Sequence, residues 1–399
     1  MALLGAAIVV LFVGQYNQEL AIESVSFSTL GLLAGMMVLV YVTQQSGVYD
    51  FIAVKAGQFS KGNSLALVIM MSATVAILSG FLDNLTTILL IVPVTFLLAD
   101  TLDINPIPLI IVEVLSANIG GAATLIGDPP NVLIGAAADL SFNDFLINNL
   151  PAVTVILSVV TVGLYFVFRK QLHVEEKNKK YVMELDAAAS ITDREELRRT
   201  LPVLIGTIVF FFAHQYIHIE PATVALTGAA VALLVTKVPI EKALENIEWT
   251  TIFFFIGLFV MVEGVSKTGL LRILAERLLL ATGGDPTVTV LAVLWGSALL
   301  SAVLDNIPFV ATMIPLVKGM ESAFGGAAGL EPVWWALALG ACLGGNGTLI
   351  GASANLTVAG IADRAGVPFK FTKFTVRAFP LMLVSVGIAH VYLWVRYLR

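Results

Sequence analysis

Two aspartates stand where a membrane chain tolerates them least. Asp83 lies in SGFLDNLTTILLIVP (79–93) and Asp305 in SAVLDNIPFVATMIP (301–315), each followed by an asparagine, Asn84 and Asn306. A carboxylate within hydrocarbon is expensive unless it is paired or hydrated. Burial favours its neutral form and a bound cation its charged form, so such a group can couple a proton to another solute. The plain alternative is that each Asp N-caps the helix that follows it. Ser or Thr would cap at lower cost in lipid, which favours an ion or proton site. Thr86 and Thr87 follow the first tip only, since the second copy has Pro308 and Phe309. Back-bonding within a helix is the ordinary alternative for both threonines.

A second pair of segments has the same character. GGAATLIGDPPN (120–131) returns as GGNGTLIGASAN (344–355). Gly120, Gly121 and Gly127, and Gly344, Gly345, Gly347 and Gly351, permit unwinding and close backbone approach. Pro129 and Pro130 stop a helix. A broken helix exposes carbonyls on one side and N–H groups on the other, and either can hold an ion. Small-residue packing would explain the glycines. It does not explain Asn118, Thr124, Asp128, Asn131, Asn346, Thr348 and Asn355 beside them. Asp128 has Ala352 as its counterpart, so it either couples protons with Asp83 and Asp305 or braces the break. Glu113, Glu263 and His390 also lie in apolar runs. Glu113 is deep enough for a proton path, whereas Glu263 and His390 are expected to snorkel. Cys342 aligns with Asn118 and reads as a small buried residue.

These motifs repeat because the chain does. Asp83 and Asp305 are 222 positions apart, and Gly120 and Gly344 are 224 apart. Polar, Gly-broken segments at matching places in two membrane repeats point to a transporter's binding site. Composition agrees: 58% of residues are hydrophobic and 13% charged, against about 25% charged in soluble proteins. The fold class expected is an all-α polytopic membrane protein of two inverted-topology repeats, each with a re-entrant hairpin and a discontinuous helix. One cysteine excludes an internal disulfide and a multi-thiolate metal site, and no cofactor or metal is expected.

Apolar runs fall near 2–15, 27–45, 64–80, 85–99, 107–140, 151–168, 201–217, 222–237, 250–266, 287–303, 307–320, 334–362 and 378–395. The pairs 64–80/85–99 and 287–303/307–320 are joined only by Asp-Asn turns, and each reads as a re-entrant hairpin. The runs 107–140 and 334–362 read as discontinuous spans, allowed because broken backbone at membrane depth must line a cavity or be buried. The division expected is a first repeat over 1–168, a cytoplasmic linker over 169–200 and a second repeat over 201–399. With the linker inside, 16 of the 22 Lys and Arg fall on cytoplasmic segments, as the positive-inside rule requires. ALLGAA (2–7) matches ALTGAA (225–230), yet only the second has a helix (201–217) before it. The first repeat therefore reads as one helix short, leaving nine spans and two hairpins.

LDNLTT, ANIGGAATLIGDPPN, LDNIPFVATMIP and ACLGGNGTLIGASAN resemble the ArsB/NhaD-type permeases of the ion-transporter superfamily, especially the branch of the melanosomal P protein. The resemblance covers nearly the whole chain. It implies ten spans and two hairpins, so the missing helix reads as truncation. It implies one central site at the two tips and two breaks, with a transport domain moving elevator-fashion against a scaffold. Dicarboxylate carriers of the superfamily have Ser-Asn-Thr at the tips. Asp-Asn-Leu and Asp-Asn-Ile here would repel an organic dianion.

Three substrate classes follow from the resemblance: arsenite or antimonite efflux against protons, sodium–proton exchange, and anion transport. Arsenite is favoured, as a neutral triol held by amides and hydroxyls, with sodium the alternative. The partners implied are a small inorganic solute, protons or sodium, the lipid bilayer of the inner (plasma) membrane and an accessory ATPase, with no nucleic acid. An enzyme is not expected: an intramembrane aspartyl protease would need a GxGD sequence, and 124–128 reads TLIGD.

Overall fold

A computed structural model describes residues 1–12 and 17–399, and the described residues form helices with no strand. Residues 13–16, which include the end of the first apolar run, lie outside it. The first half contains α1 (Ala2–Phe12), α2 (Gln18–Glu23), α3 (Phe27–Gln44), α4 (Val48–Phe59), α5 (Ser64–Leu82), α6 (Asn84–Leu102), α7 (Pro106–Gly121), α8 (Pro129–Ala138) and α9 (Phe142–Phe168). After α10 (Glu176–Glu184) come α11 (Arg194–Ala213), α12 (Pro221–Val235), α13 (Ile240–Glu245), α14 (Trp249–Lys267), α15 (Leu270–Ala281), α16 (Pro286–Ser301), α17 (Asn306–Lys318), α18 (Glu331–Gly344), α19 (Ser353–Arg364) and α20 (Phe371–Leu393). Among the described residues, seven helical segments are long and apolar enough to cross a bilayer individually.

The duplication is visible element by element. The starts of α2 to α6 and of α13 to α17 are 222 positions apart in every case. Their caps repeat as well: Gly47 and Gly269, both left-handed, precede α4 and α15. Asn63 and Asp285 each accept a backbone N–H at the start of α5 and α16. Helix α1 aligns with α12, and α11 has no counterpart among the described residues.

Packing follows the same symmetry. Helix α3 lies on α12, and its twin α14 lies on α1. The first hairpin arm α5 packs on α7, as α16 packs on α18. Each second arm crosses to the other repeat, α6 to α19 and α17 to α8. Helices α9 and α20, a twin pair, pack on each other. Exchanging partners in this way is what a two-fold relation between inverted repeats requires. The hairpins, broken helices, α9 and α20 form one body, and α1, α3, α11, α12 and α14 form the flank beside it.

Several sequence expectations change. The paired runs, joined only by Asp-Asn turns, read as re-entrant hairpins whose arms do not each span. Arms α16 and α17 have 16 and 13 residues, but α5 and α6 have 19 each. At ~1.5 Å per residue these reach about 28 Å, so length alone does not make the first hairpin re-entrant. Its tip does, because it ends against the helix breaks. The helix expected from 201 starts at Arg194, where Asp193 accepts the N–H groups of Glu195 and Glu196. These backbone bonds hold the Asp193 carboxyl below the usual carboxylate range.

The 169–200 segment is docked rather than loose. Asn178 donates to Leu102 O (3.2 Å), Gln58 to Leu185 O (2.6 Å) and the Thr192 N–H to Ser46 O (3.1 Å). A Cβ on Gly47 would lie 1.8 Å from Ser190 O. Helices α4 and α15 were missed because they are amphipathic and not long apolar runs; α15 meets α16 at 119°. His390, near the end of α20, accepts at Nδ1 from Trp295 Nε1 at 3.0 Å. Glu263 is ion-paired with Lys267 (3.1 Å).

Candidate functional site

Each break is built by the same brackets. Ser79 donates to Ala117 O and Ser301 to Ala341 O, both at 2.7 Å, tying the first hairpin arm to the end of α7 or α18. Thr124 donates to Gly80 O and Thr348 to Ala302 O, tying the unwound segment to the same arm. Gly120 and Gly344 make this approach possible. A Cβ on them would lie 2.3 Å from Ala76 O and 2.4 Å from Ala298 O. Gly121 faces Gly127, and Gly345 faces Gly351, across each break. Gly347 lies against Ala302.

The carbonyls freed by unwinding do not stay free. Asn131 donates to Gly121 O (3.2 Å) and Thr124 O (2.8 Å). Asn355 donates to Gly345 O and Thr348 O, both at 2.8 Å. The two asparagines thus do for the break what the next helical turn would have done. Their Oδ1 atoms are left to face the centre.

Asn118 joins the two repeats there. It accepts from Asn84 Nδ2 (3.0 Å) and donates to Asn346 Oδ1 (2.9 Å) and Asn355 Oδ1 (3.0 Å). Asn346 in turn donates to Leu115 O (3.2 Å). The mirror of the Asn118–Asn355 bond is a weak one, Cys342 Sγ to Asn131 Oδ1 at 3.6 Å. Asn118, Asn131, Asn355 and Cys342 are fully buried. This packed, polar cluster spans positions more than two hundred residues apart.

Three carboxylates surround it, differently held. Asp128 is fully buried, accepts from Asn306 Nδ2 of the opposite tip (3.2 and 3.3 Å) and lies within Coulombic reach of Asp305 and Asp83. Asp305 caps Ile307 N (3.0 Å) and accepts from Ser353 Oγ (2.8 Å). Asp83 caps Thr86 N (2.8 Å) and accepts from Thr86 Oγ1 (2.7 Å), while Thr87 donates back to Asp83 O (2.6 Å). Asp83 has φ +81°, ψ 158°, a region that is almost the preserve of glycine and costs about 1–3 kcal/mol. Asp305, at φ −55°, carries no such strain. The caps are thus real at both tips, and Thr87 back-bonds as its plain alternative required.

Two clefts lie against the second hairpin arms, α6 and α17. One, of about 180 Å³, is lined by Tyr41, Gln44, Thr86, Asn246 and Glu248. The other, of about 280 Å³, is lined by Ser24, Ser26, Glu263 and Ala311 among others. Tyr41 and Glu263, Asn246 and Ser24, and Glu248 and Ser26 are each 222 apart, so the clefts are twins. A polar hollow of about 600 Å³ with Asp139, Asp144, His214, His218 and Glu220 adjoins α8. Sequence reading missed Ser79 and Ser301, although each stands four residues before its aspartate. Ser353 carried no signal, because its twin is Pro129.

An inverted helical repeat whose two hairpin tips and two broken helices meet in one buried polar cluster defines a multi-pass membrane transporter. The family model described as citrate transporter (CitMHS) matches residues 1–340, and this chain belongs to that family. It is 41% identical over its whole length to an uncharacterized transporter of Mycobacterium bovis, covering 93% of that protein. Over 94% of the chain it is 35% identical to the P protein of Mus musculus, of which it spans 54%. The YdaH transporter of Alcanivorax borkumensis has the same fold: TM-score 0.62, 16% identity, covering 94% of this chain and 87% of that one. The P-protein likeness matches the sequence expectation, while the arsenite branch in particular rests on the motifs alone.

Proposed function

We propose that the chain is a proton-coupled secondary transporter whose cargo reaches the centre without net negative charge. The observation that carries this is the site's charge. Asp83, Asp128 and Asp305 surround the asparagine cluster, and segments 79–93, 120–131, 301–315 and 344–355 contain no Lys, Arg or His. An anion entering there would lose its hydration and gain no positive partner.

The cargo we infer first is arsenite or antimonite as the neutral hydroxide, exported against protons. Amides and hydroxyls suit a triol, and the lone Cys342 cannot form a tris-thiolate. Sodium is the second reading, since amide oxygens and carboxylates also suit a small cation. The family's description adds citrate; the same charge rule admits it only when protons or a bound cation cancel its charge. In this reading Asp83, Asp305 and Asp128 carry the coupled protons, and the hairpin body moves as an elevator against the flank. The setting is a plasma membrane with 169–200 on the cytoplasmic side, and an accessory ATPase is the partner that the arsenite reading adds.

Flux into proteoliposomes under an imposed pH gradient tests this, with arsenite, sodium, citrate alone and citrate with a divalent cation as separate arms. Proton-coupled arsenite movement is expected. Sodium movement alone would transfer the assignment to the second reading. Uptake of free citrate would overturn the charge rule itself.

A further inference from the structure

Glu113 is fully buried on α7, ~12 Å along the helix from the break at ~1.5 Å per residue, and takes no part in the central cluster. Its Oε1 meets Thr95 Oγ1 of α6, and its Oε2 has no hydrogen-bond partner. Thr95 also lies 3.3 Å from Ile91 O. No Lys, Arg or His pairs with Glu113, and Thr95 is the one polar group acting on it among the described residues. Hydroxyls resume one turn further along α7, where Ser116 meets Ser72 of α5 (2.8 Å) and Ser72 meets Thr161 of α9 (2.6 Å).

A threonine has one proton to give. If Glu113 is the neutral acid, its O–H donates to Thr95, Thr95 donates to Ile91 O, and every donor is used. If Glu113 is a carboxylate, Thr95 must turn to it and one charged oxygen is left buried without a donor, an expensive arrangement. The second repeat shows that packing does not require this group. The counterparts of Glu113, Thr95, Ser72 and Ser116 are Leu337, Val317, Leu294 and Gly340. One half-site is polar and titratable, and its twin is apolar.

We propose that Glu113 is a second proton-binding site of the carrier, apart from the tip carboxylates. It holds its proton while the α5–α6 hairpin is packed on α7. When the α5–α6 hairpin loosens from α7 within that body and water enters, the O–H proton passes to water, and the carboxylate that remains is hydrated. On reclosure it takes a proton back. This rests on the proton-coupled reading above, so one readout must be independent of cargo.

Infrared difference spectroscopy of the full chain in lipid gives that readout. The wild type at neutral pH should show a protonated-carboxyl C=O band that disappears in E113Q and in E113L, the latter carrying the twin's side chain. Absence of that loss in both variants, or loss of an ionised carboxylate band instead, overturns the site. In flux assays both variants should show a smaller pH-gradient-driven accumulation than wild type, because only the tip and break carboxylates still carry protons. Normal gradient-driven accumulation in both would overturn the coupling role. A wild type that moves no tested cargo would sink the transport reading while the infrared result still decides the site.

Discussion

Replacing Asn118 with alanine removes a residue that ties a hairpin tip and both repeats together. The bonds lost are one accepted from Asn84 and two donated, to Asn346 and Asn355. Hydrogen bonds between membrane helices average ~0.6 kcal/mol, so three give a floor of about 2 kcal/mol. That floor applies if water fills the space and satisfies the abandoned atoms. If the space stays dry, Asn84 Nδ2 loses its partner, and each unpaired buried polar group costs ~1–3 kcal/mol. Asn346 and Asn355 keep their bonds to backbone carbonyls and lose only at Oδ1. We therefore expect N118A to lose about 2–5 kcal/mol, with the central geometry loosened and transport reduced. Reversible unfolding in mixed micelles measures the first and reconstituted flux the second. N118C, which installs the twin's residue, should fall between wild type and N118A, because a thiol can still donate weakly to Asn355 as Cys342 does to Asn131. An N118A protein within ~0.5 kcal/mol of wild type, the range of an ordinary surface change, would refute the reasoning.

Four further outcomes follow from the geometry. G120A and G344A should each cost about 1–3 kcal/mol by overpacking, because the new methyl meets the Ala76 or Ala298 backbone. G360A, with nothing within 4 Å, should be neutral or slightly stabilising in the same unfolding assay. D83N and D305N keep size and capping ability, so both should reach the membrane yet lose proton-driven flux; normal flux in either would reduce that aspartate to a cap. G47A should push Ser190 away and undock the 169–200 segment, seen as faster proteolysis there, with no such effect for G269A, whose surroundings are open. Single cysteines replacing Lys180 and Lys373 should react with an impermeant reagent from the cytoplasm only, and one replacing Tyr216 from outside only; a linker labelled from outside would invert the topology.

The duplicated motifs, the two tips and the two breaks were legible in the sequence because each is local. A run of apolar residues ending at Asp-Asn, or a Gly-rich stop inside a span, signals itself within fifteen positions. Repetition at a fixed spacing then implies the architecture. The caps at Asp83 and Asp305 were legible for the same reason. What only the tertiary structure decided is which atoms meet. Asn118 reaches Asn346 and Asn355 across 228 and 237 positions, and Asp128 is held by the opposite repeat's tip. That the carbonyls of both breaks are already taken by Asn131 and Asn355 depends on how sharply the chain folds back, which no residue type announces. The strain at Asp83 and its absence at Asp305 arise under the same Leu-Asp-Asn sequence, so packing around the tips must set it. Helices α4 and α15 were hidden because amphipathic segments carry no hydropathy peak. Sequence writes local preference and period. Contacts between the halves exist only once two inverted copies close on a common axis, and the chemistry at that axis belongs to both.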